Sequence, residues 1–572
     1  MDIRVTHTLP DGDVRECAVR ARAGQTILEA LRAAHVAIQS PCGGAGVCGK
    51  CRVAVKLPNG AENEALACQT KVVDAMEVEL GRADGALRVE GGAQCVLDAV
   101  GRFPLDPASE GELGIGFDLG TTTIAAYLLD LCTGELVVQD GRANPQGSFG
   151  ADVVSRIRAC QEGSLDALQQ AAACGLRELV EGLCSKAGAS SSRITRWAVA
   201  GNAVMQHILC GLSPEGIGVY PFEPQTRFGA RYPIAGCTDK GGRASATGNA
   251  DAGGSADAGG SASTTGSTDA IGRTDVASDA DTAYLCPCVS GYVGGDVVAG
   301  IVACGLDRYL ACSGKPVAAA RTVLFADLGT NGEMALIHDG LLTCCATATG
   351  PAFEGATISQ GMQARSGAID SCYFDGRVLA CTTIDDAPAV GICGSGLIDV
   401  LAACLKAGVV DETGRILLPD ELPAACKDLV ELRGGKPVVR LGDDGSVVLA
   451  QRDVRALQLA KAAVAAGVAS LLGAANVGVS DIDEFVIGGA FGAHMKTSSA
   501  AEIGLFPKEL ASRVRMVGNC AGAGACAAVL SGEARARMSA VAAHARYVEL
   551  SLDPDFSEAY VEAMEFSKVA DE

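Results

Sequence analysis

The stretch Ile115-Gly116-Phe117-Asp118-Leu119-Gly120-Thr121-Thr122-Thr123 decides the fold, because it returns as Leu324-Phe325-Ala326-Asp327-Leu328-Gly329-Thr330-Asn331-Gly332-Glu333. Both copies run an apolar segment into Asp-Leu-Gly-Thr. Asp118 and Asp327 then end strands, and Gly120 and Gly329 make the tight turns. The surroundings match as well. In the first copy Thr122–Leu129 reads as a second strand, Thr133-Gly134 as a turn and Glu135–Gln139 as a third strand. In the second, Gly332–Ile337, Asp339-Gly340 and Leu341–Ala346 repeat that order. One three-stranded meander therefore occurs twice, as expected of a duplicated fold.

Such turns hold phosphate. Backbone N–H groups exposed in a Gly-containing turn form an anion nest, and Thr hydroxyls add donors. A carboxylate at the strand end can hold Mg²⁺ through water, because Mg²⁺ keeps much of its hydration shell. The turn enters a strand rather than a helix, which argues against a Walker loop or a dinucleotide fingerprint. A single Asp-Leu-Gly-Thr is an ordinary hairpin turn. Two in matching context point to a nucleotide site. A later strand, Phe485-Val486-Ile487, runs into Gly488-Gly489-Ala490-Phe491-Gly492, where backbone can pass close to a flat ligand such as adenosine or can simply turn.

Residues 1–82 read as a separate unit. Ile3–His7 and Val14–Val19 are expected strands around the Pro10-Asp11-Gly12 turn, and Thr26–His35 is an expected helix with Thr26 and Glu29 spaced as a capping box. Cys42, Cys48 and Cys51 share one Gly-rich loop, and Cys68 follows. Zinc usually takes two short Cys pairs. Three cysteines in one loop favour a [2Fe–2S] cluster, whose sulfurs can accept hydrogen bonds from the freed backbone N–H groups. The segment resembles the β-grasp ferredoxins, with gaps of five, two and sixteen residues between the cysteines, nearer the adrenodoxin-like variant than the plant type.

Residues 83–112 read as a linker, with a root-mean-square reach of roughly 30 Å if flexible, shortened if apolar pieces such as Cys95-Val96-Leu97 dock. The body is expected at 113–535. Within it Leu165, Leu168, Ala172, Leu176, Leu179 and Leu183 form a core-facing helical stripe with Ser164 at its N-cap. Trp197–Val204 is an expected strand entering Gly201-Asn202, Asp296 opens a helix, and another helix spans 453–472. Residues 238–282 are nearly all Gly, Ala, Ser, Thr and Asp and repeat Ala-Asp-Ala-Gly-Gly-Ser. They read as a disordered surface insertion. The tail, 536–572, is expected as an extension with a strand at Tyr547–Leu552 and a helix at Ser557–Glu565.

Composition narrows the partners. The 572-residue chain carries a formal net charge of −22, which disfavours nucleic acid and anionic membranes. No signal peptide and no run of eighteen apolar residues is visible. Most of the 25 cysteines lie among apolar neighbours, which fits reduced thiols and a cytoplasmic location.

The paired Asp-Leu-Gly-Thr hairpins and the late Gly-Gly-Ala loop resemble the acetate/sugar kinase, heat-shock chaperone and actin superfamily. With the N-terminal ferredoxin, Asn144-Pro145-Gln146, Val293–Asp296, Gly391–Asp399 and Gly488–Gly492, the chain resembles the reductive activators of corrinoid-dependent methyltransferases. The resemblance implies α/β and α+β domains: a β-grasp ferredoxin followed by a duplicated ribonuclease H-like ATPase fold. It implies a reaction, ATP-coupled return of one electron to an inactive Co(II) corrinoid to give Co(I). It implies ATP, Mg²⁺ and a [2Fe–2S] cluster as cofactors. The partners it implies are a corrinoid protein and an electron-donating reductase or ferredoxin, and it leaves room for a homodimer. Carried onto this sequence, Cys42, Cys48, Cys51 and Cys68 hold the cluster. Asp118, Gly120, Thr121 and Thr122 form the first phosphate loop, and Asp327, Gly329, Thr330, Asn331 and Gly332 the second. Either Asp327 or Glu333 orients the attacking water, and Glu333 reads equally well as a structural strand residue. Gly488, Gly489 and Ala490 contact adenosine. Three other readings compete: an activator of the 2-hydroxyacyl-CoA dehydratase kind, a nucleotide-regulated scaffold without energy coupling, and a small-molecule kinase. The appended four-Cys unit argues against the first and is unexplained by the last.

Overall fold

The computed structural model describes residues 1–8, 14–34, 36, 38, 40, 42–46, 49–58, 62–80, 92–234, 282–311, 321–350, 352–355, 357–442, 445–489 and 495–566. Cys48, Ala490, the Pro10-Asp11-Gly12 turn and nearly all of the 238–282 insertion therefore lie outside the described residues.

The N-terminal unit is a five-stranded sheet in the spatial order Val14–Arg20, Asp2–Thr8, Met76–Leu80, Arg52–Lys56, Glu62–Leu66. The first and last strands of the unit pair in parallel and the other neighbours antiparallel, which is β-grasp topology. The helix Ile27–Ala33 packs across it, and Thr26 and Glu29 close a reciprocal capping box. Ile3, Val5, Ile27, Leu31, Val53 and Val78 form its own buried core.

The duplication is real. The first meander, Leu113–Leu119, Thr123–Asp130 and Leu136–Ala143, continues into the parallel strands Ile194–Gly201 and Thr282–Leu285. The second, Val323–Leu328, Gly332–His338 and Leu341–Thr347, continues into the parallel strands Glu484–Gly488 and Val514–Met516. Asp118 and Asp327 occupy matching places, opposite Ala200 and Gly488 respectively. Between the two sheets lie the helices Gly295–Ala303 and Cys520–Leu530, which share one apolar core with Tyr127, Ala198, Phe325 and Ile337. A Cβ on Gly524 would come within 2.4 Å of Ala299 O, so these helices approach as closely as backbone permits. The Gly- and Ala-rich composition thus serves packing. The outer face of each sheet has a further core of its own.

Five expectations are corrected. Residues 92–112 are not a free linker: Gly92–Val100 is a helix, and Val96, Ala99 and Phe103 join the central core. What is left of the expected tether, 83–91, lies outside the described residues. Ser164 makes no side-chain capping bond: behind a kink at Gly163 (φ +87°), which separates Leu165–Ala187 from the helix Val153–Ala159, it takes φ −94° and ψ 12° rather than the extended backbone of a cap. The strand through Trp197 stops at Gly201, where Asn202 caps a new helix, Ala203–Leu209. In the tail, the strand is Ala545–Tyr547, pairing in parallel with Leu342–Cys344 as the outermost strand of the second sheet. The helix that follows is Pro554–Glu562. The tail is thus part of the body rather than an appendage. The helix Gln451–Ala475 is long and apolar enough to cross a membrane, but most of its apolar window is buried inside the fold.

The insertion leaves and re-enters the body across one hairpin. Arg231–Pro233 pairs antiparallel with Thr282–Tyr284, with Pro233 opposite Thr282. Replacing 240–280 by a short Gly/Ser turn is expected to shift the thermal midpoint by no more than about 2 °C, since a segment of Gly, Ala, Ser, Thr and Asp has few side chains that could build a core. A drop of ten degrees in calorimetry would assign the segment a structural role.

Candidate functional site: a two-loop phosphate cleft and a four-cysteine loop

The two Asp-Leu-Gly-Thr turns meet. Thr122 Oγ1 and Thr330 Oγ1 are 2.9 Å apart, and Thr330 Oγ1 also donates to Glu354 Oε1 at 2.7 Å. The first loop is tied from below: Asn144 donates from its backbone N to Thr122 O at 2.7 Å and from Nδ2 to Gly120 O at 2.8 Å. The buried Arg156 guanidinium donates to Thr121 O and to Gln146 Oε1. In the second loop Thr349 Oγ1 donates to Gly329 O and Thr330 O at 2.8 and 2.9 Å. Gly329 N donates to Asn331 O, and Gly332 begins the next strand. Apart from the Gly329 N–H, which is spent inside its own loop, these bonds end on loop carbonyls and leave the other loop N–H groups for an anion.

Four carboxylates lie within electrostatic reach of one another beneath the loops, and among the described residues no three are close enough to ligate one ion directly, which leaves contact through water. Asp118, Asp296 and Asp327 are half-buried and Glu333 is buried. Burial pushes Asp118 up to about 7, with Asp296 adding and a 2.8 Å hydrogen bond from Asn519 opposing. Burial likewise pushes Asp296 up to about 6. Asp327 and Glu333 face each other across paired strands. Burial lifts both well above the carboxylate range, with the negative charge of Asp296 adding to each. Asn202 Nδ2 donates to Glu333 Oε1 at 3.2 Å. No Lys or Arg forms a salt bridge to any of the four among the described residues. Hard oxygen donors, raised pKa values and no counter-charge fit a hydrated divalent cation.

The Gly-Gly strand end also reaches this point. Gly488 pairs with Asp327, and Gly489 has φ +92°. A Cβ on Gly489 would lie 2.6 Å from Leu328 O and 2.8 Å from Asp327 Oδ1, so only glycine fits there.

In the N-terminal unit Cys42, Cys51 and Cys68 surround Arg32, and Cys51 Sγ lies 3.3 Å from Cys68 Sγ. Gly43, Gly44, Gly46 and Gly49 all take positive φ, which lets the loop wrap tightly. Thiolate donors on such a loop fit an iron–sulfur cluster. The fourth cysteine, Cys48, lies outside the described residues.

Sequence reading did not assign roles here to Asp296, Asn202, Asn519, Glu354 or Arg156. Asn202 and Asn519 carry a local signal, since each N-caps a helix after a strand. Their second bonds, to Glu333 and Asp118, are long-range and leave no local trace.

Comparison with known proteins agrees with this two-part arrangement. A model of the 2Fe-2S iron-sulfur cluster binding domain matches residues 11–73, one of the RACo middle region matches 113–238, and one of the C-terminal domain of RACo, the ASKHA domain, matches 321–572. The chain belongs to the RACo family. It is 28% identical to the corrinoid activation enzyme RamQ of Eubacterium limosum over 597 residues, covering 91% of this chain and 92% of that one. It is 29% identical over 207 residues to the [Co(II) methylated amine-specific corrinoid protein] reductase of Methanosarcina barkeri, covering 32% and 34% of the two chains. A solved structure, the reductive activator for corrinoid, iron-sulfur protein, superposes with a TM-score of 0.66 at 26% identity over 99% of this chain and 98% of that one. In this RACo-family chain the iron–sulfur unit and the nucleotide-binding ASKHA fold are thus both present.

The raised carboxylates give a pH prediction. A folded pKa above the ordinary value means that the metal-free fold binds protons more tightly than the unfolded chain. Stability from Asp118 is therefore full at low pH and lost as pH rises from about 4 to about 7. Mg²⁺ must displace those protons. Affinity for Mg²⁺ with nucleotide should rise about tenfold per pH unit below 7 for each proton released, and flatten above it. Calorimetry in buffers of differing ionisation enthalpy reads the protons directly. Release that is unchanged in Asp118→Asn would rule this carboxylate out as their source.

Proposed function

We propose that this chain is an ATP-dependent reductive activator, which returns one electron to the Co(II) corrinoid of a methyltransferase system and restores Co(I). The observation that carries the reading is the meeting of two duplicated phosphate loops at Thr122 and Thr330, in a chain that also holds a four-cysteine ferredoxin loop. Relatives named as corrinoid activation enzyme and corrinoid protein reductase support it over the dehydratase-activator, scaffold and kinase readings.

The residues divide the work. Thr121, Thr122, Thr330 and the loop amides of Gly120, Asn331 and Gly332 cradle the phosphates, and Gly329, whose N–H is bonded to Asn331 O, makes the turn that presents them. Asp118, Asp296 and Asp327 hold hydrated Mg²⁺, which offsets their mutual repulsion. Glu333, fixed by Asn202, orients the attacking water, since phosphoryl transfer depends mainly on positioning and charge neutralisation. Gly488, Gly489 and Ala490 line the nucleoside side. Cys42, Cys48, Cys51 and Cys68 hold a [2Fe–2S] cluster, which when bound supplies one electron at a time. A separate reductase or ferredoxin re-reduces the protein. Transfer to Co(II) is uphill by about 59 mV for each tenfold of unfavourable equilibrium. Hydrolysis drives it by changing how the lobes meet.

The test is anaerobic spectroscopy of a corrinoid protein with this chain, a chemical reductant, Mg²⁺ and ATP. Growth of the Co(I) band only when ATP is present supports the reading. Equal Co(I) formation without ATP would replace it by the scaffold.

A further inference from the structure

The cluster loop rests on the ATPase body at two places, one on each side of the cleft. On the first side Arg32 Nη2 donates to Gly43 O at 2.9 Å within its own unit and to Ser148 O of the body. Its guanidinium carbon lies 5.0 Å from the centre of the Phe149 ring. Gly43 is pressed against the same residue: a Cβ there would lie 3.0 Å from Phe149 O. On the second side Lys50 Nζ lies 3.5 Å from Ile358 O.

Each contact is a short step from one phosphate loop. Ser148 and Phe149 close the turn Pro145–Ser148, which Asn144 caps while also bonding Gly120 O and Thr122 O. Gln146 of that turn is held by Arg156, which holds Thr121 O as well. Ile358 N in turn donates to Gly355 O, beside the Glu354 that accepts from Thr330. The cluster loop therefore spans the two lobes where their phosphate loops touch.

We propose that the ferredoxin unit is docked across the cleft by Arg32 and Lys50, and that nucleotide phosphate entering between Thr122 and Thr330 releases it. This rests on the ATP-binding part of the proposed function and is independent of the corrinoid part. The two hydroxyls are 2.9 Å apart. A phosphate oxygen accepting from both, with Thr330 turning its one proton from Glu354 to the phosphate, needs two hydrogen bonds of about 2.7 Å in series, and so parts the hydroxyls to roughly 4.5–5 Å. Arg32 on the helix Ile27–Ala33 and Lys50 beside the buried Cys51 belong to one packed unit, in which Leu28, Leu31, Cys51 and Val53 share a core, so the distance between them does not grow with the cleft. The Lys50 bond is already at 3.5 Å, the limit of a hydrogen bond, and cannot take up the movement. Arg32 and Lys50 are positioning residues: they decide where the cluster loop sits, and the ATP state decides whether they hold.

Peptide-level hydrogen exchange on the cluster-loaded, full-length protein tests this without any corrinoid partner. With Mg²⁺ and a non-hydrolysable ATP analogue, peptides covering 42–51 and 145–150 are expected to exchange several-fold faster, and ferricyanide to oxidise the reduced cluster several-fold faster. Arg32→Met is expected to show the faster values without nucleotide, with little further change on adding it. Because Arg32 also bonds Gly43 O inside its own unit, Lys50→Ala serves as the second variant, and it is expected to move in the same direction with an unaltered cluster spectrum. Hydrolysis of ATP with no change in exchange, or native behaviour in both variants, would overturn the dock alone. Failure of the native protein to bind nucleotide in calorimetry would overturn the ATP-binding reading along with it.

Discussion

Asp327→Asn is expected to lower ATP hydrolysis by about 10²–10³-fold while leaving the cluster and the fold in place. The magnitude is that of removing one preorganised polar group from a developing charge. The fold survives for a reason visible in the electrostatics. Asp327 is held well above the ordinary carboxylate range by burial and by the charges of Asp296 and Asp118, so the metal-free protein already favours a neutral group there. The isosteric amide supplies one. What it cannot supply is the second negative charge across from Asp118 that a divalent cation needs. The thermal midpoint without Mg²⁺ should therefore match that of the native protein at low pH and exceed it as rising pH ionises Asp327, whereas protection by Mg²⁺ and ATP should disappear. In the corrinoid assay Co(I) should not accumulate, although the cluster is still reduced by a chemical reductant. Native rates of Co(I) formation in this variant would uncouple the phosphate loops from electron delivery and sink the proposed mechanism.

Cys51→Ser should be as severe at the other end of the molecule. Cys51 is 1% exposed and its sulfur lies 3.3 Å from that of Cys68, so the two form one edge of the thiolate set. A hydroxyl is a harder, shorter and far less acidic ligand, and iron in such clusters is held by thiolates. Iron and acid-labile sulfide should fall to near zero in anaerobically purified protein, and Co(I) formation with them. Nucleotide binding should persist, because both phosphate loops, which meet at Thr122 and Thr330, belong to strands of the body and not to the N-terminal unit. Retention of two irons and two sulfides per chain would mean that another thiol is the ligand. Stoichiometric zinc in the native protein would end the cluster assignment altogether.

The parts of this molecule that were legible in the sequence are those whose signal is local. The meander repeats, the capping box at Thr26 and the glycine-wound cysteine loop are each encoded within about thirty residues. They fold as their spacing dictates. The first phosphate loop and the second could be aligned because duplication wrote the same words twice. The remainder was decided by partners far along the chain. Cys95-Val96-Leu97 looked like an apolar fragment in a linker. It becomes a helix because the face of Cys520–Leu530, more than four hundred residues later, is there to bury Val96 and Ala99. Ser164 has the chemistry of an N-cap but not the extended backbone, since the chain reaches it from a left-handed kink at Gly163. Asp296 reads as a first-turn acidic residue on a helix, and it is one. Only the closure of two sheets around that helix brings its charge against Asp118, Asp327 and Glu333.

The order in which these partners are made has its own consequence. The first sheet is complete once Thr282–Leu285 has been synthesised, whereas the second waits for Ala545–Tyr547. At 5–20 residues per second that gap lasts from about 13 to about 52 s. Through that interval the emerging chain carries a folded cysteine loop and a first phosphate loop, but Asp118 has no Asn519 to hold it and the core between the sheets has no Cys520–Leu530. A chain that stops short of Asn519 and Cys520–Leu530 therefore has the first loop without the partner that holds Asp118 and without half of the helix pair that fills the space between the sheets.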